Sequence, residues 1–244
     1  MKNDIGKSIR MRLLNLAHRE KQEYMKVLIR YFHERLLYRI GISPYRKHFL
    51  LKGSSLLFAY DRFHSRPTID IDLLGNHINR DNSHLHDVFT QLCAIECVAD
   101  GVTFDANTLK LTPIALEKKY PGACITVTAY LDTIVQPVSI DIGFGDVVTP
   151  YPLPLDYPLL LNDLPPVELY AYSLETLIAE KFHTMVDRDE SNSRMKDFFD
   201  VYYIFKNHQF LRKIRWKETV AFSEVMESIR MNLGVYWNQD LNKD

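Results

Sequence analysis

Cysteine is scarce in this chain, with three among 244 residues. Cys93, Cys97 and Cys124 form no C-x-x-C pair and their number is odd, which argues against a disulfide framework and for a reducing, cytoplasmic setting. Long apolar runs are lacking too. No stretch of about 18 hydrophobic residues offers a membrane span, and no apolar core precedes a small-residue cleavage site near the N-terminus, so no secretion signal is expected. Net charge is close to absent at −1, so bulk charge names no partner. Several well-known site patterns are missing: G-x-x-x-x-G-K-[ST], G-x-G-x-x-G after a strand, G-x-S-x-G, H-E-x-x-H and a Cys/His quartet. His84 and His86 stand two apart without such company and read as surface helix residues. There is no internal repeat and no low-complexity tract.

What is present is ordinary globular composition, 46% hydrophobic and 25% charged, enough for one large domain or two small ones. The charge is unevenly spread. Residues 1–52 hold 13 Lys/Arg against 4 Asp/Glu, and the remainder holds 17 against 27. Such a basic segment either attracts nucleic acid, docks on the acidic body or is a solvated helix face.

Residues 4–39 read as two helices or one long bent one, with an apolar stripe of Leu13, Leu14, Leu16, Val27, Leu28, Phe32, Leu36 and Leu37 and basic residues on the other faces. Gly41 and Pro44 end it. Phe49–Leu51 reads as a short strand, Ser54–Asp61 as a helix with a serine N-cap, and 68–74 as a strand closed by Gly75-Asn76. Asp81 or Ser83 can cap a helix reaching about Cys97. Strands are expected at 102–104, 109–111, 123–131 and 138–144. Six of the 11 prolines crowd residues 150–166, which marks an extended crossover. Helices follow at 174–188, 196–206 and 218–231. This order points to an α+β fold, a mixed sheet flanked by helices and followed by a helical C-terminal part.

The sharpest feature is Thr68-Ile69-Asp70-Ile71-Asp72-Leu73-Leu74, just after Leu51-Lys52-Gly53-Ser54-Ser55. With a period of two, Ile69, Ile71 and Leu73 share one strand face, and Asp70 and Asp72 the other. Adjacent carboxylates repel unless a cation lies between them. Mg²⁺, or Mn²⁺ in its place, suits carboxylate oxygens and keeps positions open for phosphate. The Gly53-Ser54-Ser55 turn offers backbone N–H groups and hydroxyls to hold phosphates. The plain alternative is a polar outer face of an edge strand. In Ser139-Ile140-Asp141-Ile142-Gly143-Phe144, Asp141 becomes a third carboxylate if this strand neighbours 68–74, and is otherwise a solvent-facing residue. Asp146, after two glycines, reads as a turn residue.

Further on, Leu174, Leu177, Ile178, Lys181, Phe182 and Met185 form one helical stripe that Lys181 interrupts. Its ammonium either snorkels to water or enters an anionic pocket, with Arg188 two turns along the same face. Arg194, Lys196, Asp197 and Asp200 open the next helix. Asp197 suits the helix dipole and Asp200 can pair with Lys196 at i, i+4, yet opposite charge is concentrated here beyond what capping requires.

Taken together, Phe49–Tyr60 through Arg66–Leu73, and Glu180–His183 through Arg188 to Arg194–Asp200, resemble the AbiEii nucleotidyltransferase toxins, a branch of the polymerase-β-like nucleotidyltransferases. The stretch Ser139–Asp146 matches the same style, and coverage runs from about residue 47 to 206. The second glycine of many relatives is Ser54 here, which keeps a donor. The resemblance implies transfer of a nucleoside monophosphate from an NTP, with pyrophosphate leaving. Asp70 and Asp72 would hold the metal, Gly53, Ser54, Ser55, Arg66 and Arg188 would contact the nucleotide, and Lys181 would bind the triphosphate. Asp197 would act as base or position the acceptor, supported by Lys196 and Asp200. Two metals about 4 Å apart would fit such chemistry. The resemblance further implies a toxin with a cognate antitoxin and an RNA acceptor, the 3′ end of tRNA among some relatives, reached with help from the basic N-terminal helices. The implied organisation is a catalytic core over 1–155, with the basic helices, and a mainly helical part over 156–244 that completes the site. Rival readings are small-molecule nucleotidylation of the antibiotic-modifying type, with the same site and another acceptor, and a non-catalytic nucleotide-binding module.

Overall fold

The computed structural model describes residues 2–114, 122–149, 151–188 and 195–208. The expected helix over 218–231, Arg194 and the side chain of Arg188 lie outside the described residues. The chain divides into two compact units, the first covering residues 1–173 and the second beginning at Leu174.

The first unit opens with α1 (Lys2–Arg19) and α2 (Tyr24–Ile42), so the N-terminal apolar stripe belongs to two helices. Leu13, Leu16, Val27, Leu28, Phe32, Leu36 and Leu37 are buried, as the stripe requires. The basic faces behave differently from a solvated surface. On α2, Arg30, Arg35 and Arg39 are buried along with His33 and Glu34. Arg39 bonds Asp100 at 2.7 Å and the carbonyl of Val102 at 2.9 Å, and Arg35 pairs with Glu34 at 2.6 Å. Buried guanidinium groups are tolerated only when paired and hydrogen-bonded in this way. Arg10 on α1 pairs with Asp132, and Arg12 with Asp163. Much of the basic segment is thus spent on the acidic body.

The remaining elements are β1 (Phe49–Leu51), α3 (Gly53–Asp61), β2 (Asp70–Gly75), α4 (Asn82–Ala94), β3 (Val102–Ile114), β4 (Gly122–Leu131), β5 (Ile134–Phe144), β6 (Leu153–Tyr157) and β7 (Val167–Ala171). Their strands form one mixed seven-stranded sheet in the order β3-β4-β5-β2-β1-β7-β6. β2 runs parallel to β5 and antiparallel to β1, and β1 runs parallel to β7. Ile71, Leu73, Ile140 and Ile142 are buried, which fixes register because a slip of one residue would turn them outward. Among the described residues no helix is long and apolar enough to cross a membrane.

Several local expectations need correction. The strands expected at 102–104 and 109–111 are one element, β3, with a register shift between Asp105 and Lys110. Within that irregularity Thr108 Oγ1 accepts the N–H of Thr128 at 2.8 Å, so a side chain replaces a missing ladder bond. The proline-rich crossover contains β6 and β7. β6 is an edge strand, the place where Pro154 removes no inner ladder bond. No serine caps α3: it starts at Gly53, is flanked by Lys52, and has Ser54 and Ser55 inside its first turn. α4 ends at Ala94, so Cys97 lies beyond it. Ile69 precedes β2 and is 76% exposed, so it does not join the core face of Ile71 and Leu73.

The second unit contributes α5 (Leu174–Arg188) and α6 (Met195–Asn207), which pack on each other. Leu177, Ile178, Val201 and Ile204 are buried, in line with the helical spacing of the apolar residues.

Candidate active site

Strand pairing assembles the carboxylates. In the parallel β2–β5 register Asp72 lies opposite Asp141 and Asp70 opposite Ser139. One carboxylate oxygen from each of Asp70, Asp72 and Asp141 falls within 4.8 Å of the others, and all three residues are half-buried. The condition set by the sequence for a third carboxylate, that the two strands be neighbours, is met. Three like charges this close repel one another. Their hard oxygen donors fit a divalent cation such as Mg²⁺ or Mn²⁺, whose charge removes the repulsion.

The turn into α3 is built around this cluster. The N–H of Lys52 donates to the carbonyl of Asp72 at 3.0 Å, which ties the end of β1 to β2. Gly53 follows with φ +63°, a left-handed conformation that favours glycine. A Cβ at this position would lie 2.0 Å from Oδ2 of Asp72. Only a residue without a side chain allows the turn and the carboxylate to share this space. Ser55 Oγ is 3.4 Å from the carbonyl of Asp70, and Thr68 Oγ1 donates to the Asp70 carboxylate. Ser54 is 1% exposed, and its Oγ has no hydrogen-bond partner among the described residues. A buried hydroxyl left in that state has unspent donor capacity. Arg66 is half-buried in the segment leading into β2.

Two further groups border the cluster. His33 on α2 is 1% exposed. Burial, then the nearby Arg30 charge, push its imidazole down to about 3, against the opposing pull of Asp70 and the Ile69 carbonyl. Cys124 on β4 stands opposite Asp141. Burial first, then the bond to Asp141, push its thiol up to about 11, so it is an inert thiol at neutral pH.

Sequence reasoning missed one group here. Lys52 Nζ bonds Asp146 Oδ2 at 2.8 Å, and the hydroxyl of Tyr172 donates to the same oxygen at 2.8 Å. Asp146 is therefore more than a turn residue. The available signal was Gly143, because glycine inside a strand often marks a close approach. A Cβ on Gly143 would meet Lys52 Nζ at 3.1 Å.

In the second unit Lys181 does not snorkel. It is 7% exposed, and its ammonium bonds Asp197 at 3.0 Å and Asp200 at 2.7 Å. Asp197 and Asp200 are buried on the first turns of α6, at 3% and 0% exposure. The acid at 200 thus meets a lysine from the facing helix, while Lys196, its i, i+4 neighbour, is exposed. The structure therefore brings together Asp70, Asp72 and Asp141 beside Gly53 in one unit, and Lys181, Asp197 and Asp200 in the other.

Comparison with known proteins adds a family to this geometry. A search of curated proteins finds no match. Among solved structures, two matches are JHP933 from Helicobacter pylori, with 13% identity, a TM-score of 0.48 and coverage of 76% of this chain and 68% of that one, and an H. pylori protein described as a candidate nucleotidyltransferase, with 14% identity, a TM-score of 0.47 and coverage of 76% and 70%. The family model for the nucleotidyl transferase AbiEii toxin of type IV toxin–antitoxin systems matches residues 35–231, a span that takes in both acidic clusters. On the strength of that match, which extends over most of its length, the chain belongs to the AbiEii family of nucleotidyltransferase toxins.

Proposed function

We propose that this nucleotidyltransferase transfers a nucleoside monophosphate from an NTP to an RNA acceptor, the 3′ end of tRNA being the acceptor to test first. The observation that carries the reading is the carboxylate triad of Asp70, Asp72 and Asp141 built against a glycine turn. Family membership supports the transferase chemistry, and with it an NTP substrate and an antitoxin partner.

Each role follows from a side chain's chemistry. Asp70 and Asp72, with Asp141 as third ligand, hold Mg²⁺ or Mn²⁺. When bound, such an ion neutralises developing charge and orients phosphate oxygens for in-line displacement. The Gly53 turn lets backbone N–H groups approach the phosphates closely, and Ser54, Ser55 and Arg66 add donors. Arg188 would offset triphosphate charge, and Asp197 would accept the proton of the acceptor hydroxyl or fix its position. Lys181 holds Asp197 in place through its bond, and Asp200 braces the lysine from a second side; Lys196, exposed at the start of α6, adds positive charge. Burial in ion pairs removes Arg35 and Arg39 from RNA contact, and Arg10 and Arg12 are paired at the surface, which leaves Lys7, Arg19, Lys21, Lys26 and Lys47 as the exposed basic groups among the described residues of that segment.

The test is incubation of the full chain with tRNA and each NTP in turn, followed by mass spectrometry of the RNA. A mass increase of one nucleotide monophosphate unit, abolished by Asp72→Asn, supports the reading. Transfer to aminoglycosides but to no RNA would move the acceptor to the small-molecule class.

A further inference from the structure

Lys52 stands immediately before the turn glycine, yet its side chain reaches another part of the sheet. Its N–H is bonded to the Asp72 carbonyl, while Nζ extends over β5 to lie 3.1 Å from where a Cβ of Gly143 would be. Gly143 and Asp141 are two apart on one strand and so share a face. The ammonium is therefore one side-chain position, about 7 Å along β5, from the carboxylate triad. Because residue 143 has no side chain, nothing from β5 itself stands between them.

The ammonium is held by a small frame. Asp146 Oδ2 accepts from Lys52 Nζ and from the Tyr172 hydroxyl, both at 2.8 Å. The Tyr172 ring centroid lies 5.6 Å from Nζ, close enough for a cation–π contact. Lys52 itself is 9% exposed. A lysine in this position adds positive charge to a face that carries three carboxylates.

Resting on the nucleotidyltransferase reading above, we propose that Lys52 contacts the phosphate oxygens of the nucleotide, with Tyr172 as a positioning residue and Asp146 as the anion that holds the ammonium until phosphate takes its place. A phosphate that reached both an ion held by the triad and the ammonium would span the separation just described. Exchange of Asp146 for phosphate keeps the ammonium paired with an anion. Asp146 in turn keeps the Tyr172 hydroxyl, so neither partner loses all its compensation. Gly143 is then the residue that leaves room for the phosphate, as Gly53 leaves room for Asp72.

The experiment measures binding of a labelled NTP analogue with a non-cleavable α–β linkage to the full chain in Mn²⁺, using wild type, Lys52→Met, Lys52→Arg and Asp146→Asn. Loss of a charge-assisted bond to phosphate should weaken Lys52→Met by about 10- to 100-fold. Lys52→Arg should recover part of the affinity, and Asp146→Asn should bind more tightly than wild type because the competing carboxylate is gone. Wild-type affinity in Lys52→Met would overturn the proposal. If that variant does not fold, unchanged or weaker binding by Asp146→Asn overturns it instead. Failure of the wild type to bind any of the four NTP analogues would sink the nucleotidyltransferase reading itself, and this proposal with it.

Discussion

Gly53 and Asp72 compete for the same space, so the residue at the turn and the carboxylate on β2 are specified jointly: a Cβ on one would lie 2.0 Å from an oxygen of the other. The left-handed φ of +63° at Gly53 adds backbone strain to that clash for any other residue. Gly53→Ala should lower stability by about 1–3 kcal/mol and reduce nucleotide transfer by about 100-fold or more through displacement of the carboxylate. Denaturant midpoints and transfer rates measured on the same preparation check both halves.

Asp141 is expected to separate stability from activity. Three carboxylates within 4.8 Å repel one another, so Asp141→Asn should hold or raise the thermal midpoint in EDTA. The same change should weaken the gain in midpoint that Mg²⁺ gives the wild type by mass action. Transfer should fall by about 10²-fold or more. Thermal scans with Mg²⁺ and with EDTA, together with the RNA mass assay, make the comparison; a lower midpoint for the variant in EDTA would count against the crowding argument.

Lys181→Met should destabilise the protein strongly. It leaves Asp197 and Asp200, both buried, without the cation that each bonds. Breaking one side of a buried ion pair costs about 3–5 kcal/mol. Lys181→Arg should restore part of the stability because the charge returns while the geometry differs. Urea unfolding followed by circular dichroism reads the difference.

The pH profile of stability should carry two opposed contributions from α2. His33 is lowered from 6.5 to about 3 in the folded chain by burial and the Arg30 charge, so the unfolded state binds the proton more readily. Its stabilising contribution is present above pH 6.5 and is lost as pH falls toward 3. Glu34 is raised from 4.5 to about 7, chiefly by burial, so its contribution is present below pH 4.5 and is lost as pH rises toward 7. Between these limits the two offset each other. Glu34→Gln should therefore make stability climb more steeply with pH over that window, and His33→Gln should make it decline. Urea midpoints at successive pH values in a constant-ionic-strength buffer test both slopes.

Most of the carboxylate site was legible in the sequence because it rests on short-range rules. The period-two placement of Asp70 and Asp72 follows from strand geometry, and Lys181 stood out because charge interrupted a helical apolar stripe. Asp141 remained conditional, since strand adjacency is a long-range property that one sequence does not encode locally; the β2–β5 pairing supplied it. Lys52 and Tyr172 escaped notice for the same reason, because their meeting at Asp146 depends on three separate segments. The strands β6 and β7 were hidden by proline content, which reads as crossover unless the strand's edge position is known. Whether the arginines of α2 face solvent, meet nucleic acid or dock on the acidic body stayed open, because periodicity registers charge but not its partner, and Asp100 and Glu34 decide their burial.

The pairing of Asp72 with Asp141 also has a consequence for synthesis of the chain. β2 leaves the ribosome well before β5, with α4, β3 and β4 made in between. Until the later strand emerges, the growing polypeptide holds only two of the three acids, and Asp72 has no parallel neighbour to set its position. The three-acid cluster is therefore complete only after more than half of the chain has been translated.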